Sequence, residues 1–153
     1  MNYQEFLKTK ELQTIQAGFD VPAEWLSDKL FDFQRDIVKW ALKKGKCAIL
    51  TGCGTGKSFM LLEWAHCVHE YTGGNVLILS PLSVVRQTAH ESEKFDICDV
   101  HICRSQDDVK DGINITNYEM IEHFNADEFV GVVLDESSIL KSFTSSTRNE
   151  LID

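Results

Sequence analysis

The sequence predicts an α/β fold, doubly wound, with a mainly parallel sheet and helices on both faces. Four short apolar runs carry that expectation: Cys47–Leu50, Val76–Leu79, Ile113–Ile115 and Val130–Leu134. They are rich in Val, Ile and Leu and do not alternate with polar residues, as in parallel strands buried on both faces. Helix-length segments separate them, Lys57–Tyr71, Ser83–Phe95 and Asn117–Phe124, each entered through Gly, Ser, Thr or Asn. Strand alternating with helix is the pattern of a parallel sheet. In such sheets ligands sit beyond the carboxyl ends of the strands. The loops beginning at Thr51, Ser80, Thr116 and Asp135 therefore become the places to look.

Taken in order, residues 3–17 are polar with Phe6, Leu7, Leu12 and Ile15 interspersed, and Gly18 follows. A short amphipathic helix with a glycine stop is expected there. Residues 1–30 read as a helical extension and 31–153 as the main domain. From Asp32, apolar residues fall at Phe33, Ile37, Trp40 and Ala41, with Gly45 ending the run. This spacing predicts a helix burying one stripe, with Lys39, Lys43 and Lys44 outward. A weaker run, Val100–Cys103, is a candidate for a fifth strand.

The chain has 153 residues, 43% of them apolar and 25% charged, which fits one soluble globular domain. No run reaches the ~20 apolar residues of a membrane span, and the first residues lack the basic and apolar regions of a secretory signal. A cytoplasmic protein with no membrane partner is expected. The net charge is −9, and residues 96–153, with four basic and thirteen acidic side chains, account for all of it. Any contact with nucleic acid must then come from local groups and backbone donors rather than from bulk attraction. Five cysteines without a CxxC pair read as reduced thiols. His66-Cys67-Val68-His69 lies on an expected helix without a second ligand pair at zinc spacing, so no zinc site is expected.

The run Thr51-Gly52-Cys53-Gly54-Thr55-Gly56-Lys57-Ser58 lies between an expected strand and an expected helix. Glycines at 52, 54 and 56 let successive N–H groups converge on one anion at a helix N-terminus. Lys57 supplies a point charge for the β- and γ-phosphates, and Ser58 a hydroxyl for Mg²⁺. The usual pattern has glycine where Thr51 stands. Farther on, the run Val130–Leu134 ends in Asp135-Glu136. Asp135 at a strand tip would hold Mg²⁺ through its water shell, and Glu136 could take a proton from an attacking water.

Together these segments resemble the superfamily 2 helicases, in particular the Swi/Snf-like and phage-type DEAD/DEAH-related ATPases, from about residue 30 onward. Leu30-Phe31-Asp32-Phe33-Gln34 resembles the Q motif, which implies that Gln34 hydrogen-bonds adenine; the alternative is a surface residue of its helix. Gly52–Ser58 is similar to motif I. Ser80-Pro81-Leu82-Ser83-Val84-Val85 resembles motif Ia and Ile115-Thr116-Asn117-Tyr118-Glu119 motif Ib, which implies that Pro81, Ser83, Thr116, Asn117 and Tyr118 line a nucleic-acid path. The alternative for Ser83 and Asn117 is that they simply cap their helices. Asp135-Glu136-Ser137-Ser138, with Leu140-Lys141, is similar to motif II.

The resemblance implies the first RecA-like lobe of an ATP-dependent helicase or translocase, with ATP and Mg²⁺ as cofactors and DNA favoured over RNA. No counterpart of motif III or of the second lobe's motifs is found, so the expected lobe is incomplete at its C-terminal end. A second RecA-like lobe, in cis or in trans, would then supply the arginine that stabilises the transferred phosphoryl group. The competing expectations are a stand-alone nucleotide- or partner-binding module without catalysis and a small P-loop kinase. Only four arginines (35, 86, 104, 148) are present and no arginine-rich lid segment is found, which argues against the kinase.

Overall fold

A computed structural model describes residues 17–137 of the chain. The helix expected over 3–17 lies almost wholly outside these residues, as do Ser138, Leu140, Lys141 and Arg148. Among the described residues there are three α-helices: α1 (Asp32–Lys44), α2 (Lys57–Thr72) and α3 (Leu82–Phe95). Four strands, β1 (Asn75–Ser80), β2 (Val100–Ile102), β3 (Ile113–Asn117) and β4 (Phe129–Leu134), form one sheet in the order β2-β3-β1-β4. Every pairing is parallel.

The chain winds both ways. Passing from β1 through α3 to β2 it moves toward one edge, and α3 lies on the face that α2 covers, with Phe95 stacked on Phe59 at 4.7 Å. Passing from β3 to β4 it returns across β1 on the opposite face, carried by the 3₁₀ helix Tyr118–His123. Both crossings follow from the single hand that twisted strands allow. The main core joins Val38 and Leu42 of α1, Met60, Leu62 and Ala65 of α2, Val85 of α3, and Val76, Ile78, Ile113 and Ile115 of the sheet. A smaller core on the opposite face groups Leu77, Leu79 and Tyr118 with Ile121, Phe124 and Phe129.

Three sequence expectations change. Cys47–Leu50 forms no strand, and Leu50 is 92% exposed. A strand persists only where a neighbour takes its N–H and C=O groups, and β4 ends the sheet with β1 as its only partner among the described residues. The segment Asn117–Phe124, expected as a helix, is 3₁₀ over Tyr118–His123. The buried stripe of α1 runs through Gln34, Val38, Ala41 and Leu42, while Phe33 and Trp40 stay about half exposed. The helix is turned so that Gln34, not Phe33, faces inward, because Gln34 has partners there. The weaker run at Val100 does form a strand.

Candidate nucleotide and nucleic-acid site

α2 runs antiparallel to the sheet, since it ends at Thr72 and the chain enters β1 at Asn75. Trp64 and Val68 lie against Gly131 in β4, 3.3 Å from where a Cβ there would stand. From Gly131 to Asp135 the chain advances ~13 Å, and from the Trp64–Val68 turn back to Lys57 the helix advances ~13 Å. The loop 51–56 and the Asp135 turn thus reach the same carboxyl edge.

The loop itself is open. Gly52, Cys53, Gly54 and Gly56 are exposed, and a Cβ on Gly52 or Gly54 would meet nothing within 4 Å. Gly54 and Gly56 adopt φ of 75° and 77°, which side chains rarely tolerate. Thr55 closes the turn, its hydroxyl 2.8 Å from the Thr51 hydroxyl and 3.0 Å from the Gly52 carbonyl. Thr51 therefore has a structural use in the place where the usual pattern has glycine. No side chain caps the N-terminus of α2, so the first-turn N–H groups remain directed at the loop. Lys57 and Ser58 are half-buried at that end. An uncapped helix start under a glycine cradle suits a polyphosphate, and a hydroxyl and a carboxylate at one sheet edge suit a hard divalent ion.

Gln34 is 4% exposed and is not a surface residue. Its Oε1 accepts from the Phe31 N–H at 2.9 Å, and its Nε2 donates to the Thr55 carbonyl at 2.9 Å. Both ends of the amide are thus engaged by backbone, which braces the loop.

The acidic pair sits in a tight turn. Asp135 donates its N–H to the Leu79 carbonyl at 2.8 Å, and its carboxylate accepts from the Ser80 hydroxyl at 3.0 Å. The Tyr118 hydroxyl donates to the Asp135 carbonyl at 2.6 Å. Burial pushes the Asp135 carboxyl above its usual range, the Ser80 hydrogen bond opposes this, and the Glu136 charge adds to it. Glu136 holds φ of 50°, in the left-handed region.

The expected nucleic-acid residues divide. Ser83 is exposed and Pro81 half-buried at the start of α3. The side chains of Thr116, Asn117 and Tyr118 are buried, so any contact to nucleic acid there would fall to the backbone. Neither Ser83 nor Asn117 makes a side-chain cap: Pro81 is the cap residue of α3, and Asn117 donates to the Glu119 carboxylate instead, at 2.5 Å. The Tyr118 ring is core, and burial together with the Asp135 and Glu136 charges pushes its phenol upward. The sequence reading also missed Ser80, whose polarity at the end of an otherwise apolar run was the available signal. Two open concavities are lined by Trp25, His66, Cys67 and Glu70, and by residues 23–28 with Arg35; neither includes the loop or the acidic turn. Among the described residues no group of three or more metal-ligating side chains is present.

A solved structure shares this fold. The chain is similar to the UvsW helicase from bacteriophage T4, with a TM-score of 0.70 and 15% identity over 99% of this chain and 55% of that one. The fold is RecA-like. This chain spans about half the length of the phage helicase (55%). No protein-family model matches the sequence, and no curated protein does. No helix of the described residues in this RecA-like domain is long and apolar enough to cross a membrane.

Proposed function

We propose that this domain is the ATP-binding lobe of an ATP-dependent DNA helicase or translocase. One observation carries the reading: an open glycine loop heads α2 at the same sheet edge where β4 delivers Asp135 and Glu136. The likeness to the phage helicase supports the fold on which the reading depends.

In this reading the N–H groups of residues 52–57 bind the triphosphate, and the Lys57 ammonium neutralises the β- and γ-phosphates. Ser58 and Asp135 would hold Mg²⁺, which supplies further charge neutralisation. Glu136 accepts the proton of the attacking water. Gln34 keeps the loop in its binding shape through Thr55. Exposed Ser83 and free backbone N–H groups beside Pro81 offer contacts to a DNA phosphate that need no net positive charge. A second RecA-like lobe, in cis or in trans, would contribute the arginine, worth ~10³–10⁵ in rate in related hydrolases.

The lobe on its own binds ATP–Mg²⁺ weakly and turns it over little. Titration of the 153-residue chain with a fluorescent ATP analogue tests this, and an analogue that never binds would refute it. The concentration of the whole −9 charge in residues 96–153 favours a second reading, a nucleotide- or partner-binding module without catalysis. DNA-stimulated hydrolysis, measured with the chain alone or with a second lobe added, would exclude that module.

A further inference from the structure

We propose that Ser80 is a positioning residue that aims the Asp135 carboxylate at its metal ion, with Tyr118 fixing the backbone beneath it. This rests on the functional reading above and adds two residues to its machinery.

The register makes the juxtaposition. Ile78 pairs with Val133 and Leu79 with Leu134, so the next step sets Ser80 beside Asp135. Side chains alternate across a strand. Ser80 thus shares the face of Val76 and Ile78, which belong to the core under α2. Its hydroxyl, on a residue with 0% exposure, donates to Asp135 Oδ2 at 3.0 Å. A hydroxyl buried there without that acceptor would carry a desolvation cost. The Glu136 N–H supplies the carboxylate with a second donor.

The backbone is fixed from two further directions. The Leu79 carbonyl takes the Asp135 N–H, and the fully buried Tyr118 hydroxyl donates to the Asp135 carbonyl. A non-glycine residue at φ of 50°, as at Glu136, persists where its surroundings over-determine it. β1 and the turn after β3 therefore set both the position and the direction of the carboxylate. Ser80 is followed by Pro81, and Tyr118 follows Asn117. A shift of either segment is delivered to Asp135 through one hydrogen bond.

Partners that orient a metal-binding carboxylate are typically worth ~10–100-fold in metal affinity. The test uses the full chain and a fluorescent ATP analogue, titrated with Mg²⁺ and, separately, in EDTA. Ser80→Ala is expected to raise the half-saturating Mg²⁺ ~10-fold or more while leaving binding in EDTA unchanged. Ser80→Thr keeps a hydroxyl and is expected to restore the parent's metal requirement. Tyr118→Phe should raise the requirement in the same direction as Ser80→Ala. If Asp135→Asn raises the metal requirement and Ser80→Ala does not, the positioning role is overturned and the functional reading survives. Equal loss in Mg²⁺ and in EDTA for Ser80→Ala, a purely structural effect, overturns it as well. Should Asp135→Asn leave the metal requirement untouched, the functional reading fails and this proposal falls with it.

Discussion

The Gln34 side chain joins α1 to the glycine loop: its Nε2 donates to the Thr55 carbonyl at 2.9 Å, and a Cβ on Gly56 would stand 2.3 Å from that same nitrogen. The loop can pass so close only because residue 56 has no side chain. Gly56→Ala should therefore destabilise the chain more than Gly54→Ala. Both carry the left-handed backbone penalty of ~1–2 kcal/mol, but only the first also displaces Gln34, adding ~1 kcal/mol or more. In a Gln34→Ala background the excess should vanish. Urea denaturation of the four variants measures this, and equal costs at 54 and 56 would remove Gln34 from the account.

Lys57→Ala should weaken nucleotide binding at least ~10-fold, by removing a charge-assisted contact worth ~1.5–3 kcal/mol. Glu136→Gln should leave affinity intact and suppress whatever turnover the lobe has in the presence of a second lobe. Calorimetric titration with ATP–Mg²⁺ distinguishes the two, and undiminished affinity in Lys57→Ala would contradict the loop assignment.

Glu63 gives a pH dependence of stability. It is buried on α2, with Oε1 accepting the Ser27 N–H at 2.6 Å. Burial raises its carboxyl above the ordinary 4.5, against the opposing effects of the Ser27 hydrogen bond, His66 and Arg35. Such a group contributes stability that is full below the unfolded-state value and is lost as pH rises through the folded-state value. Glu63→Gln keeps an acceptor for Ser27 and has no charge to lose. Relative to that variant, the parent chain should lose stability as pH rises above the ordinary carboxylate range. A pH-independent difference between the two would show that Glu63 is not the source.

Thiol chemistry should separate the cysteines by burial. Cys47 and Cys53 are exposed, although partial desolvation raises the Cys47 thiol too, whereas burial pushes Cys67 up to about 12 and Cys98 and Cys103 up to about 11. Native alkylation near neutral pH should modify the first two and spare the other three until the chain is unfolded. Because Cys53 lies in the loop, bound ATP should slow its modification and leave Cys47 unaffected. Peptide mapping by mass spectrometry reads this out, and equal protection of both would point to a general change rather than occupancy of the loop.

Much of this architecture was legible in the chain because local signals and tertiary packing agree. Val76–Leu79, Ile113–Ile115 and Val130–Leu134 are apolar without alternation, and each lies in a parallel strand. α1 and α2 stop at Gly45 and Gly73, both with positive φ. What failed depended on partners distant in sequence. Cys47–Leu50 has strand composition, yet a strand exists only through hydrogen bonds to a neighbour, and none is provided there among the described residues. In the sequence Ser80 looks like the first residue of a loop and Tyr118 like part of a helix. Their roles arise from a register that sets residue 80 beside residue 135 and from a turn that brings a phenol to a carbonyl 17 positions away. The sequence alone determined the layered α/β class and marked the glycine loop at 51–58 as a candidate phosphate site, because periodicity and glycine spacing are local properties. Only the tertiary structure decided which side chains are buried and which hydrogen bonds hold the acidic turn, because those depend on what another part of the chain places within 3 Å of them.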